Sequence, residues 1–191
     1  MNLGALNVQD LVFAAAAGIA IAAACGLRAF LPLLALGIGV HFEWLQVAPG
    51  AVWIGSTPAL ITLLWATLIE LVADKVPALD HALDLVATGL RPLAAAVAAG
   101  CTFVGVHPAV AVAAALIMGT GAMGVHVAKA KVRLGSSMLT FGTANPVLSF
   151  IEDALAIGLS AMAVLAPLAA LAGVGLMTWA FLRAFRAPAR S

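Results

Sequence analysis

Residues 145–166 read NPVLSFIEDALAIGLSAMAVLA. Apart from Glu152 and Asp153 the run carries no charge. A helix needs about 20 apolar residues to cross the hydrocarbon core of a bilayer, so this stretch is long enough. Pro146 stands at its head, where a missing N–H costs a helix nothing, and Asn145 before it is a suitable N-cap. The stretch predicts a transmembrane helix that opens at a proline and holds two carboxylates. Charges inside a span are expensive, so the residues that fix the fold also supply the first functional candidates.

The same punctuation recurs along the chain. Pro58, Pro77, Pro108 and Pro167 each head an apolar run, and Thr57 precedes Pro58 as a second N-cap. Six spans follow: Leu11–Val40, Pro58–Ala73, Pro77–Val106, Pro108–Ala128, Pro146–Ala166 and Pro167–Ala184. The first is interrupted by Pro32 and the third by Gly89–Pro92, which marks both as broken helices and hinges. If Ala166–Pro167 divides nothing, the count falls to five. With six, Lys75, Lys129, Lys131, Arg133, Arg183, Arg186 and Arg190 share one side, and the loop from His41 to Ser56 on the other has no Lys or Arg. The positive-inside rule then puts both termini in the cytoplasm of a bacterial inner membrane. With no Lys or Arg between Met1 and Asp10, no cleaved signal peptide is expected.

Composition agrees with this reading. Of 191 residues 64% are hydrophobic and 9% charged, against about 25% charged in a soluble domain. Nine basic and eight acidic residues cannot cover a soluble surface of this size. An ordinary soluble enzyme and a nucleic-acid binder are excluded, and the partner is the lipid bilayer. Residues 1–191 form a single integral membrane domain, an all-α polytopic bundle rich in small residues that let helices approach closely. Cys25 and Cys101 sit in apolar runs and read as packing residues. Pro77–Asp84 and Pro146–Asp153 share the pattern Pro-x-Leu-x-x-x-x-Asp, a possible internal repeat.

The polar residues converge in depth. Asp84 and Asp153 each lie seven residues past their proline, about 10 Å beneath the surface. Glu70 follows Pro58 by twelve residues and reaches the same level, about 12 Å from the inner face. Asp74 and Asp80 lie one turn from Glu70 and Asp84, toward the cytoplasm. Glu152 neighbours Asp153, and Asn145 offers a neutral oxygen at a helix start. These residues suit a proton or cation, and Glu70, Asp84 and Asp153 could hold a divalent metal. Lys75, Lys129, Arg133 and Arg91 surround them, with Lys129 and Arg133 on one helical face. They could grip a phosphate or other anion, or neutralise the acids as a buried network. Arg28 reaches the acids only if the first span is tilted or broken. In another arrangement, residues 79–86 form a helix on the membrane surface with Asp80, His81 and Asp84 in water. Neither a zinc-ligand spacing nor a nucleophile elbow nor a phosphate loop occurs in the sequence.

Three stretches together resemble a known family: GLRAFLP at 26–32, ELVADKVPALD at 70–80 and the run from Asn145 to Asp153. They are similar to a group of small bacterial multi-pass membrane proteins, with plant relatives, catalogued only as a domain of unknown function. The resemblance implies a multi-pass bundle and carries over no activity. From the residues themselves, the first expectation is a small transporter or channel-like protein with a proton or cation site near the inner leaflet. It would work as a homodimer. The alternatives are a metal-dependent enzyme acting on lipid head groups and a non-catalytic membrane assembly factor.

Overall fold

The computed structural model describes residues 8–73, 75, 77–141 and 143–186, with the backbone alone for 8, 10, 77–85 and 184–186. Its helices are α1 (Val8–Leu27), α2 (Phe30–His41), a 3₁₀ helix (Pro49–Gly55), α3 (Thr57–Ala73), α4 (Pro77–Thr102), α5 (Pro108–Thr140), α6 (Asn145–Leu165) and α7 (Pro167–Arg186). Among the described residues there is no strand, so the all-α expectation holds. Each proline expected to head a span, namely Pro58, Pro77, Pro108, Pro146 and Pro167, stands at or next to the first residue of a helix. The N-caps differ. Ser56 rather than Thr57 faces the start of α3, its Oγ accepting from Ala59 N at 3.4 Å. Ala144 precedes α6 without a side-chain cap, and Asn145 is already helical.

Chain direction follows from which residues meet. A Cβ on Gly119 would lie 2.9 Å from Pro92 O, so α4 and α5 fold back on each other about the 103–107 turn. A Cβ on Gly173 would lie 3.5 Å from Leu159 Cδ2. In one continuous helix those residues would be about 21 Å apart. The chain therefore does divide at Ala166–Pro167, and α6 and α7 form a hairpin. Asn145 Nδ2 donates to Ser137 Oγ at 2.9 Å, pairing α5 with α6 in the same antiparallel sense.

The first predicted span is corrected. Leu11–Val40 is not one broken span, because the chain doubles back at Arg28–Ala29. Phe13 near the start of α1 and Leu45 just beyond α2 line one pocket with Thr102, Val104 and Pro167. Meanwhile Leu27 and Phe30 lie at the opposite end of the α1–α2 pair. Among the described residues the seven α-helices therefore alternate in direction. Val8 and Arg186 fall at opposite ends of the bundle, where six spans had placed the termini together. The second predicted break is also corrected: α4 runs without interruption through Gly89–Pro92. α5 continues to Thr140 rather than stopping at Ala128, and its 33 residues make it about 50 Å long.

By length and apolarity, α5 and α6 can each cross a membrane alone among the described residues, and the 3₁₀ helix with α3, bent by 62°, gives a third candidate. α1 is the axis of the bundle and packs against α4, α5, α6 and α7. Its alanines make this possible: Ala20, Ala24 and the neighbouring Ile21 and Cys25 are wholly buried. At Gly26 a Cβ would stand 2.6 Å from Ala122 O, so only glycine lets α1 meet α5 there. Cys25 and Cys101 are buried free thiols, as packing residues should be.

Candidate functional site

The site grows from Pro32. A proline inside a helix clashes with the carbonyl four residues earlier, which here belongs to Arg28. The helix breaks at that point, and Pro32 becomes the third residue of α2, where its missing N–H is harmless. A break leaves two sets of orphan groups, the last carbonyls of α1 and the first N–H groups of α2. Phe30 and its neighbours offer no local cap, and the residue before α2 makes no side-chain cap bond. The partners come instead from distant helices. Glu70 on α3 accepts from Ala29 N at 2.8 Å through Oε1 and from Phe30 N at 3.1 Å through Oε2. Lys129 on α5 donates to Leu27 O at 3.4 Å. A negative charge meets the positive end of one helix dipole and a positive charge the negative end of the other.

Around this break lie the remaining charges. Arg28 is wholly buried, donates to Ser149 Oγ at 3.1 Å and is ion-paired with Asp153. Lys75 donates to Ser149 Oγ and to Asp153 Oδ2, each at 2.7 Å, and its ammonium lies 4.5 Å from the centre of the Phe150 ring. Glu152 holds a second set. Arg133 donates to it through Nε at 3.2 Å and Nη2 at 2.8 Å, and Lys129 lies 3.0 Å away. The fork of Arg133 is the bidentate arrangement that guanidinium favours. Deeper along α4 and α5, Arg91 donates to His126 Nδ1, which leaves the ring proton on Nε2 facing Thr88 Oγ1 at 3.2 Å.

The sequence expectations sort clearly against this geometry. Glu70 and Asp153 do meet at one level, since they hold adjacent residues of the break. Lys129 and Arg133 do share a face, and Glu152 is what they share. Arg28 reaches the acids because the first span is broken. Asn145, in contrast, is turned to Ser137 at the α5–α6 turn, away from the break. The side chains of Asp74, Asp80 and Asp84 lie outside the described residues. Of the three acids expected at a metal, Glu70 and Asp153 engage different partners. Among the described residues no group of three His, Cys, Asp or Glu could hold a metal ion. Ser149 and His126 were missed. Ser149 lies one turn before Asp153, and His126 lies at i, i+3 and i+7 with Lys129 and Arg133, so helical spacing could have found both.

Two spaces flank the break. A cavity of about 260 Å³ touches Ala29 and Phe30 on one side and contains Glu70 and Arg91 in its wall. On the other side, Leu27, Lys129 and Glu152 border a groove of about 470 Å³ between α5, α6 and α7. The charged network is thus a partition with space on both faces, held among apolar helices.

The profile of a family described as Domain of unknown function (DUF4126) matches residues 15–187. The chain belongs to that family, and its three motifs all fall inside the match. No curated protein and no solved structure matches the chain at a significant level.

Proposed function

Starting from membership of that family, which assigns no activity, we propose that this protein is a small membrane transporter or channel-like protein moving a proton or small ion. The observation that carries the reading is the break at Arg28–Ala29, whose two ends are held by Glu70 and Lys129 from other helices. Transport sites are commonly built where discontinuous helices present their ends inside the bilayer. Glu70 puts an ionisable group at that break, where its carboxylate accepts from two backbone N–H groups. An ionisable residue held inside a span is a natural site for a proton or cation. The cavity beside Glu70 and Arg91, at about 260 Å³, suits a small solute rather than a large one.

The basic residues favour one membrane placement for this reading. In it the end bearing Lys75, Lys129, Lys131, Arg133 and Arg183 faces the cytoplasm, and the end with His41 and His107 faces away. Combined with the alternating α-helices of the described residues, the proposal has the start of α1 outside and the end of α7 inside an inner membrane. A homodimer remains part of the proposal. A scaffold reading is favoured by one observation, that Asp153 and Glu152 each already hold two cations.

Liposomes containing the purified protein and a pH-sensitive dye separate the two. Under an imposed potential the wild type should pass protons, and Glu70→Gln should not. Ala66→Leu, which fills the cavity without changing a charge, should slow the flux while leaving the fold intact. A protein that melts normally yet gives no flux above empty liposomes is a scaffold, and the transport reading fails.

A further inference from the structure

The groove between α5, α6 and α7 is unexplained by the break. Its floor includes Gly121 and Gly124, and a Cβ on either would meet nothing within 4 Å. Glycines that serve packing behave otherwise, since a Cβ on Gly18, Gly26 or Gly119 would strike a neighbouring helix at 2.9 Å or less. A glycine in a helix costs about 1 kcal/mol relative to alanine. At Gly121 and Gly124 no helix contact offsets that cost, and what the missing side chains create is the groove itself.

Its dimensions and chemistry point to one kind of occupant. From Gly121 to Val132 along α5 the groove extends about 17 Å, and half of a hydrocarbon core is about 15 Å. The walls are apolar, with Leu155, Met177 and Phe181 among them, until Lys129 and Glu152 bring both signs of charge near the basic end. Leu155 and Ile151 are 41% and 51% exposed, so the groove opens sideways to the surrounding lipid. We propose that it is a specific site for one acyl chain of a zwitterionic phospholipid of the basic-end leaflet. The chain lies over Gly121 and Gly124, and the zwitterionic head group lies against the Lys129–Glu152 ion pair, with its phosphate toward Lys129 and its ammonium toward Glu152. The site does not depend on transport. A protein that moves no ion would still have it.

Native mass spectrometry of the full-length protein, released from detergent with titrated lipid, tests this. The probes are a phosphatidylethanolamine, a phosphatidylglycerol and a diacylglycerol with the same chains. The wild type should retain one phosphatidylethanolamine per chain, about tenfold more tightly than either other lipid. Gly121→Leu and Gly124→Leu should weaken that binding about tenfold, or about 1.4 kcal/mol. Gly158→Leu, at a glycine equally open but outside the groove, should leave it unchanged. Should the glycine variants fail to fold, Leu155→Trp narrows the groove from the opposite wall and should give the same loss. Undiminished lipid retention in the filled variants overturns the site, as does conversion of a dimer to a monomer, which would make a second copy the occupant. Equal binding of diacylglycerol or phosphatidylglycerol overturns the head-group assignment.

Discussion

Replacing Glu70 by glutamine removes one charge and one acceptor while keeping the side chain's shape. The new amide would keep a carbonyl oxygen for either Ala29 N or Phe30 N but would turn an NH₂ toward the other, where Glu70 holds both at 2.8 and 3.1 Å. A buried N–H left without an acceptor costs about 1–3 kcal/mol. Loss of a partly buried charge at a helix N-terminus adds about 1–2 kcal/mol. Together these give a destabilisation of about 3 kcal/mol, large against a typical total stability of about 5–15 kcal/mol. Unfolding of the purified protein in mild detergent, followed by circular dichroism over a denaturant series, reads this as a shifted midpoint at constant slope. Glu70→Ala should cost more, because both N–H groups then lose their partner. The reasoning fails if Glu70→Gln unfolds within about 0.5 kcal/mol of the wild type, the range of a neutral surface change.

Other perturbations follow from the same contacts. Glu152→Gln takes the shared carboxylate from Arg133 and Lys129 and should cost about 3–5 kcal/mol in the same assay. Adding Arg133→Met should restore part of that loss, since the two residues couple directly. Gly26→Ala forces a Cβ to 2.6 Å from Ala122 O and should lower stability by at least about 1–3 kcal/mol, whereas Gly158→Ala meets open space and should be neutral or slightly stabilising. Reporter tags at the two chain ends should be reached from opposite sides of a sealed vesicle. Accessibility of both from one side would contradict the reversal at Arg28–Ala29.

The helix starts were legible because proline acts locally, on its own turn and the one before. That Glu70 and Asp153 would come to one level was legible for a similar reason, since residue count from a helix start converts directly into distance along the helix. The reversal at Arg28–Ala29 was hidden. Its cause, Pro32, acts four residues upstream, no polar loop marks the turn, and the nearby Gly26 serves the contact of α1 with α5 instead. The caps that make the break stable lie 41 residues away at Glu70 and 102 away at Lys129. Capping rules read from neighbouring positions have no access to partners at such separations. The interruption expected at Gly89–Pro92 failed the opposite way. There the helix tolerates Pro92, and Gly119 on α5 leaves room for its carbonyl.

The central claim is that Glu70 holds the break closed. Hydrogen exchange resolved at the amides of Ala29 and Phe30 tests it most directly, scaled to the amide of Ile21 in the buried part of α1. The relative protection of Ala29 and Phe30 should be high in the wild type, lower in Glu70→Gln and lowest in Glu70→Ala, because each substitution takes acceptors from the two N–H groups. Protection in both variants that matches the wild type would show that Glu70 does not control the break.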